Sequence, residues 1–175
     1  ACYWLSDIKK DYNLKYVSFM GEIITNTPYK ITDYNNAGKT YSQLQDDTRN
    51  NPVWIAEYKR LSMATKPLIE DEIPMGISVN VGAYISVGYD RESLLENYYP
   101  IDYYSYESTV FDFKDEHNYY YIVENNGVKY MIFQLELWPR EATLDWFNET
   151  VAKNPDKYVI VFTPSFIDEN GAMYT

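Results

Sequence analysis

The stretch NYYYIVENNGVKYMIFQLEL, residues 118 to 137, leaves little freedom in its local fold. Two apolar, β-rich runs flank Asn125-Asn126-Gly127. Asn-Gly accepts the left-handed backbone of a two-residue turn, so the stretch predicts an antiparallel hairpin. Beyond residue 137 the hydrophobic period changes. PREATLDWFNETVAKNP carries Pro139 near its start and an apolar stripe of Leu144, Phe147 and Val151, which predicts a helix over 140–153. KYVIVFTPS then predicts a buried strand, Tyr158 to Thr163. Hairpin, helix and strand in succession argue for layered α/β architecture.

The rest of the chain agrees. YWLSDIKKDYN predicts a short helix ending near Asn13, and KYVSFMGEII a buried strand around Val17–Phe19 with Gly21 at its exit. NPVWIAEYKRLSMA predicts a helix over 52–64, with Pro52 in its first turn and Trp54, Ile55, Tyr58 and Leu61 on one face. PMGISVN is a strand, Ile77–Val79, and RESLLENYY a short helix closed by Pro100. Residues 25–51 are polar and turn-rich, an excursion rather than core. With 175 residues, 46% of them hydrophobic, residues 1–175 read as a single domain with a real core. The opening ACYWLSDIKKDYN lacks a methionine and starts inside a helix, as a fragment or processed product would.

Composition removes several classes of function. A formal net charge of -11 opposes nucleic acid and anionic membrane surfaces. The longest clean apolar run, Val159–Phe162, is far too short for membrane insertion. One cysteine, Cys2, excludes an internal disulfide and a Cys-rich zinc site. One histidine, His117, just before a strand and far from any motif, removes most general-base and metal-ligand chemistry. Acidic clusters at 46–48 and 115–118 lack the spacing of a calcium loop. Ser86, Ser108 and Ser165 have no His or Lys in a recognisable arrangement, and Gly38-Lys39-Thr40 matches only the end of a phosphate loop.

The long final segment, YMIFQLELWPREATLDWFNETVAKNPDKYVIVFTPSF, resembles the calcineurin-like metallophosphoesterases. Leu135-Glu136, Pro139-Arg140, Trp146, Asn154-Pro155-Asp156 and Thr163 stand in that family's order. Upstream, NLKYVSFMGEIITN resembles the family's strand ending Gly-Asp, and IPMGISVNVGAY its strand ending Gly-Asn-His-Asp/Glu. The resemblance runs from about Asn13 to Phe166. It implies an α/β fold, the family's β-sandwich flanked by helices, in an incomplete copy truncated at both ends.

The resemblance also implies a lost metal site. It places a metal-bridging asparagine at Asn80, the leaving-group histidine at Val81, an acid at Gly82, a bridging aspartate at Glu22 and a histidine at Pro164. The family's Asp-x-His and Gly-His-x-His segments have no counterpart in the chain. Two cations about 3.5–4 Å apart need a bridging carboxylate and several oxygen and imidazole ligands. Valine, glycine and proline side chains offer none, and Glu22 is a methylene longer than aspartate. No cofactor is expected, beyond a divalent cation held weakly by Glu22 and Asn80. The expected function is non-catalytic: a degenerate phosphoesterase-like domain serving as a binding or structural module within a larger protein. The first alternative is an active phosphoesterase whose ligands come from outside this segment. The second is a carbohydrate-binding module. ENYYPIDYYSYES, with Tyr98, Tyr99, Tyr103, Tyr104 and Tyr106, is the candidate binding surface for a protein partner or a sugar. The resemblance favours a place outside the cell or at its surface.

Overall fold

The computed structural model describes residues 2–21, 24, 41–79, 84, 93–99, 109–110, 117–165 and 171. In chain order the elements are α1 (Cys2–Ile8), β1 (Val17–Gly21), α2 (Tyr41–Arg49), α3 (Pro52–Glu70), β2 (Met75–Val79), α4 (Leu95–Tyr98), β3 (Thr109–Val110), β4 (Tyr119–Asn125), β5 (Val128–Gln134), α5 (Glu141–Ala152) and β6 (Tyr158–Phe162). They form a mixed α/β architecture with two sheets. β1 and β2 pair in parallel; the second sheet runs β3-β4-β5-β6, antiparallel except for the parallel β5–β6 pair.

The hairpin forms as its sequence requires. Asn125 pairs with Val128, and Asn126 and Gly127 between them have φ of 52° and 79°, the two left-handed residues of a type I′ turn. The resulting sheet is apolar on both faces. Met131, Phe133 and Leu135 point at α5, where Trp146, Phe147 and Val151 pack on them. Trp146 is half-buried and meets Phe133 edge-on at 5.7 Å between ring centres. Tyr121, Val123 and Ile132 point the other way and meet Tyr16 and Phe162. The largest cluster joins α1, α3, β1, β2 and α4 through Trp54, Tyr58, Leu68, Met75, Ile77 and Leu95. The layers therefore stack as helices, small sheet, larger sheet, helix.

Several elements depart from expectation. α3 continues past Ala64 to Glu70 although Pro67 lies inside it. Pro67 removes one N–H from the helix ladder, but it and Leu68 are buried, and that packing offsets the lost bond. Its start is as expected: Asn51 Oδ1 caps it, accepting from Val53 N and Trp54 N at 3.0 and 3.3 Å. A further helix, α2, stands within the expected polar excursion; residues 25–40 lie outside the described residues. The expected helix over RESLLENYY is one turn, α4. β1 and β6 are not buried strands. Met20 on β1 is 50% exposed, and Tyr158, Ile160 and Val161 on β6 are 67%, 40% and 42% exposed. Both are edge strands among the described residues, as is the buried β2, so cover depends on what packs over a strand and not on its apolar sequence alone.

Between the sheets lies a polar bridge. Gln134 Nε2 donates to Ser18 Oγ at 2.8 Å and to Tyr16 Oη at 3.1 Å, and Ser78 Oγ donates to Gln134 Oε1 at 2.5 Å. Burial pushes the Tyr16 hydroxyl pKa well above its ordinary value, so it stays protonated at any working pH. Ile77 N–H donates to Tyr119 Oη at 2.9 Å, which satisfies backbone of β2 from β4. The bridge closes over Gly76. A Cβ there would run into Tyr16 Oη and stand 2.5 Å from Gln134 Nε2. Gly76→Ala must therefore push the sheets apart or break the bridge. We expect a loss of about 3 kcal/mol, read as a fall in Tm of roughly 6–12 °C by calorimetry. An unchanged Tm would show that the approach at Gly76 is not structural.

Candidate functional site

The positions singled out by sequence divide in two. Glu22, Asn80, Val81 and Gly82 lie outside the described residues, as does any cation held by Glu22 and Asn80. Their preceding residues are described: Gly21 and Val79 are register partners at the ends of β1 and β2. Pro164 follows β6 in the other sheet and is half-buried. Of the tyrosines, Tyr103, Tyr104 and Tyr106 lie outside the described residues. Tyr99 is a correction. It is fully buried, with Oη 2.6 Å from Thr65 Oγ1, and offers no surface to a partner. Tyr98 is half-buried and stacks on Tyr58 at 5.7 Å. Both tyrosines turn to α3 because a one-turn helix such as α4 cannot hold its shape without tertiary packing.

The described polar groups gather elsewhere, around Glu136 at the end of β5. Glu136 is 1% exposed. Its Oε1 accepts from Arg140 N–H at 3.1 Å, from Arg140 Nε at 2.9 Å and from Thr143 Oγ1 at 2.6 Å. Its Oε2 lies 2.8 Å from Arg140 Nη2. The carboxylate thus caps α5 from outside the helix and meets the positive end of its dipole, where Arg140 itself supplies no side-chain cap. The backbone of Glu136 is held as well: its N–H donates to Asn118 Oδ1 at 2.9 Å, and its C=O accepts from Thr163 Oγ1 at 2.9 Å. One residue joins the start of β4, the end of β5, the start of α5 and the end of β6.

His117 belongs to this neighbourhood, which corrects the expectation that it lies far from any motif. It precedes Asn118 and is 3% exposed. Its ring meets Tyr84 edge-on at 5.0 Å, and its Nε2 is 3.3 Å from Ser93 Oγ. Tyr84 Oη in turn accepts from Leu137 N–H at 3.5 Å. The Ser93–His117 contact has the makings of a nucleophile and base, and sequence reading missed it because the two are 24 residues apart with no motif around either. Ser93 Oγ, however, accepts from Leu95 N–H at 3.0 Å, and Ser93 is also 3% exposed. A substrate has no surface from which to meet the hydroxyl. The Glu136–Arg140 pair did leave a signal: an acid and a base four residues apart around Pro139, at the entry to a helix.

Among the described residues no helix is long and apolar enough to cross a membrane. Among them, too, no three His, Cys, Asp or Glu side chains gather as metal ligands would. Comparison with protein-family models, with curated proteins and with solved structures finds no match.

The electrostatics of Glu136 carry a sign. Burial alone raises its pKa, but the donors from Arg140 and Thr143 outweigh burial and hold it below its ordinary 4.5. A group depressed on folding stabilises the fold fully above its unfolded pKa, and that contribution is lost as pH falls through the folded value. Stability owed to Glu136 is therefore complete above about pH 5 and drains below pH 4.5. Glu136→Gln should cost about 2–4 kcal/mol at pH 7. It should also flatten the fall in urea-unfolding free energy between roughly pH 5 and pH 3. A variant that loses stability but keeps the wild-type acid slope would assign that slope to other carboxylates.

Proposed function

We propose that the chain is a degenerate calcineurin-like phosphoesterase domain that works as a binding or structural module of a larger protein and not as a catalyst. The observation that carries this reading is what the chain does with its best-placed chemistry. Within the segment that resembles the family, the carboxylate of Glu136 is spent on capping a helix and pairing with Arg140. The only histidine is enclosed at 3% exposure. A general base must reach solvent or substrate, and a metal ligand must have a free lone pair at a site a cation can enter. Neither group meets that need. The side chains at Val81, Gly82 and Pro164, where the resemblance puts ligands, have no lone pair to give.

The mixed α/β layering agrees with the reading without reaching the family. The active alternative draws on one fact: β1 and β2 end in register at Gly21 and Val79, side by side before Glu22 and Asn80.

The experiment is direct. The purified chain should hydrolyse neither p-nitrophenyl phosphate nor its bis-ester above buffer when supplied with manganese, zinc or iron. The absent terms, a metal-acidified water and a clamp on the phosphoryl oxygens, make up most of such a catalyst's effect. Turnover that a chelator and Asn80→Ala both abolish would overturn the proposal in favour of the active alternative.

A further inference from the structure

Strand β6 is the least protected apolar element described. Tyr158-Val159-Ile160-Val161-Phe162 carries no charge, no proline and no glycine, the devices by which proteins blunt an edge strand. No described strand pairs with its far edge. Side chains are open on both faces: Tyr158 and Ile160 on one, Val161 on the other. On the first face Phe162 packs with Tyr16, Tyr121 and Ile132, but the smaller sheet leaves Tyr158 and Ile160 open. Tyr16, Ser18 and Ser78 all gather on Gln134 of β5, and Ile77 of β2 reaches Tyr119 of β4, so its contacts fall on the middle strands.

The backbone orientation of this edge can be read. Tyr158, Ile160 and Phe162 are the register partners of Tyr130, Ile132 and Gln134, and Phe162 C=O accepts from Leu135 N–H at 2.8 Å. In a parallel ladder that turns the N–H and C=O of 158, 160 and 162 toward β5. Those of Val159 and Val161 then face outward.

We infer that β6 is a self-pairing edge, which joins β6 of a second copy of the chain in antiparallel register centred on Ile160. That register alone matches the strand to itself from end to end. Val159 of each copy stands opposite Val161 of the other, and the outward groups of both residues make four N–H···O bonds. Ile160 meets Ile160 as a non-hydrogen-bonded pair, and Tyr158 meets Phe162. The charges permit it despite a net charge of -11. Lys157 stands opposite Thr163 and Asp156 opposite Pro164, so no like charges face each other. Within each copy Lys157 Nζ and Asp156 Oδ1 are already paired at 2.9 Å. A two-fold of this kind uses up both edges and closes at two copies. Five residues a side give a small interface, so the dimer is weak, with dissociation in the micromolar range. Pairing through β6 is independent of the phosphoesterase reading.

The test uses the whole chain. Light scattering across about 1–300 µM should show a mass rising reversibly from one copy toward two. Ile160→Lys should remain monomeric throughout with an unchanged circular dichroism spectrum; Val161→Lys, on the opposite face, serves if the first variant does not fold. With Cys2→Ser as background, Ile160→Cys should cross-link on oxidation, because non-hydrogen-bonded antiparallel partners stand about 4.5 Å apart at Cα. Tyr158→Cys should cross-link at least tenfold less. Monomer at every concentration would overturn the inference and leave the edge to another segment or partner. Open-ended assembly, a dimer unaffected by both lysines, or equal cross-linking at 158 and 160 would overturn it too.

Discussion

Everything in the described fold leans on one amide. Gln134 is buried between two sheets whose other contacts are apolar apart from the Ile77–Tyr119 hydrogen bond. Its amide takes up three hydroxyls, from Tyr16, Ser18 and Ser78, and fixes how β1 and β2 lie across β5. A buried amide left unpaired would cost more than any one of these bonds returns, so the arrangement holds as a set or fails as a set. Gly76 is the steric half of the same device. Only a residue without Cβ lets Tyr16 and Gln134 close over β2. The sheets meet through hydrogen bonds with fixed directions, and those directions select one stacking.

Two residues on, Glu136 does for the loops what Gln134 does for the sheets. It ties Asn118, Arg140, Thr143 and Thr163, and so gathers the ends of β4, β5 and β6 at the entry to α5. An ion pair in such a place is a poor source of net stability, since desolvation consumes most of the attraction. What it supplies is geometry. The carboxylate accepts from the backbone N–H of Arg140, the N-cap residue, at the end of the helix where negative charge is favoured. It is engaged by a guanidinium, a backbone N–H and a hydroxyl at once. His117, behind it, is enclosed by Tyr84 and Ser93.

Two of the edge strands stay open. β1 and β6 have sequences that suit a sheet interior, yet each ends its sheet among the described residues. Burying apolar area is the main return on forming a sheet, and here Met20, Tyr158, Ile160 and Val161 have not collected it.

Local sequence determined the parts whose structure depends on near neighbours. Asn126-Gly127 set the hairpin and its register because the turn demands left-handed residues there. Asn51-Pro52 set the start of α3, and the stripe of α5 gave its packed face, Phe147 and Val151, onto the sheet. The site was less legible. Glu136 and Arg140 stood in plain view four residues apart. That their pair would be buried, with Asn118 and Thr163 reaching in from 18 and 27 residues away, is a product of strand order. Tertiary structure alone decided that Tyr99 faces Thr65 and not a partner, that His117 meets Ser93, and that α3 runs through Pro67. It also decided that apolar β1 and β6 keep open side chains while β2 is buried. Hydrophobicity states what a strand would gain by burial; only the packing of the whole chain decides which strands obtain it.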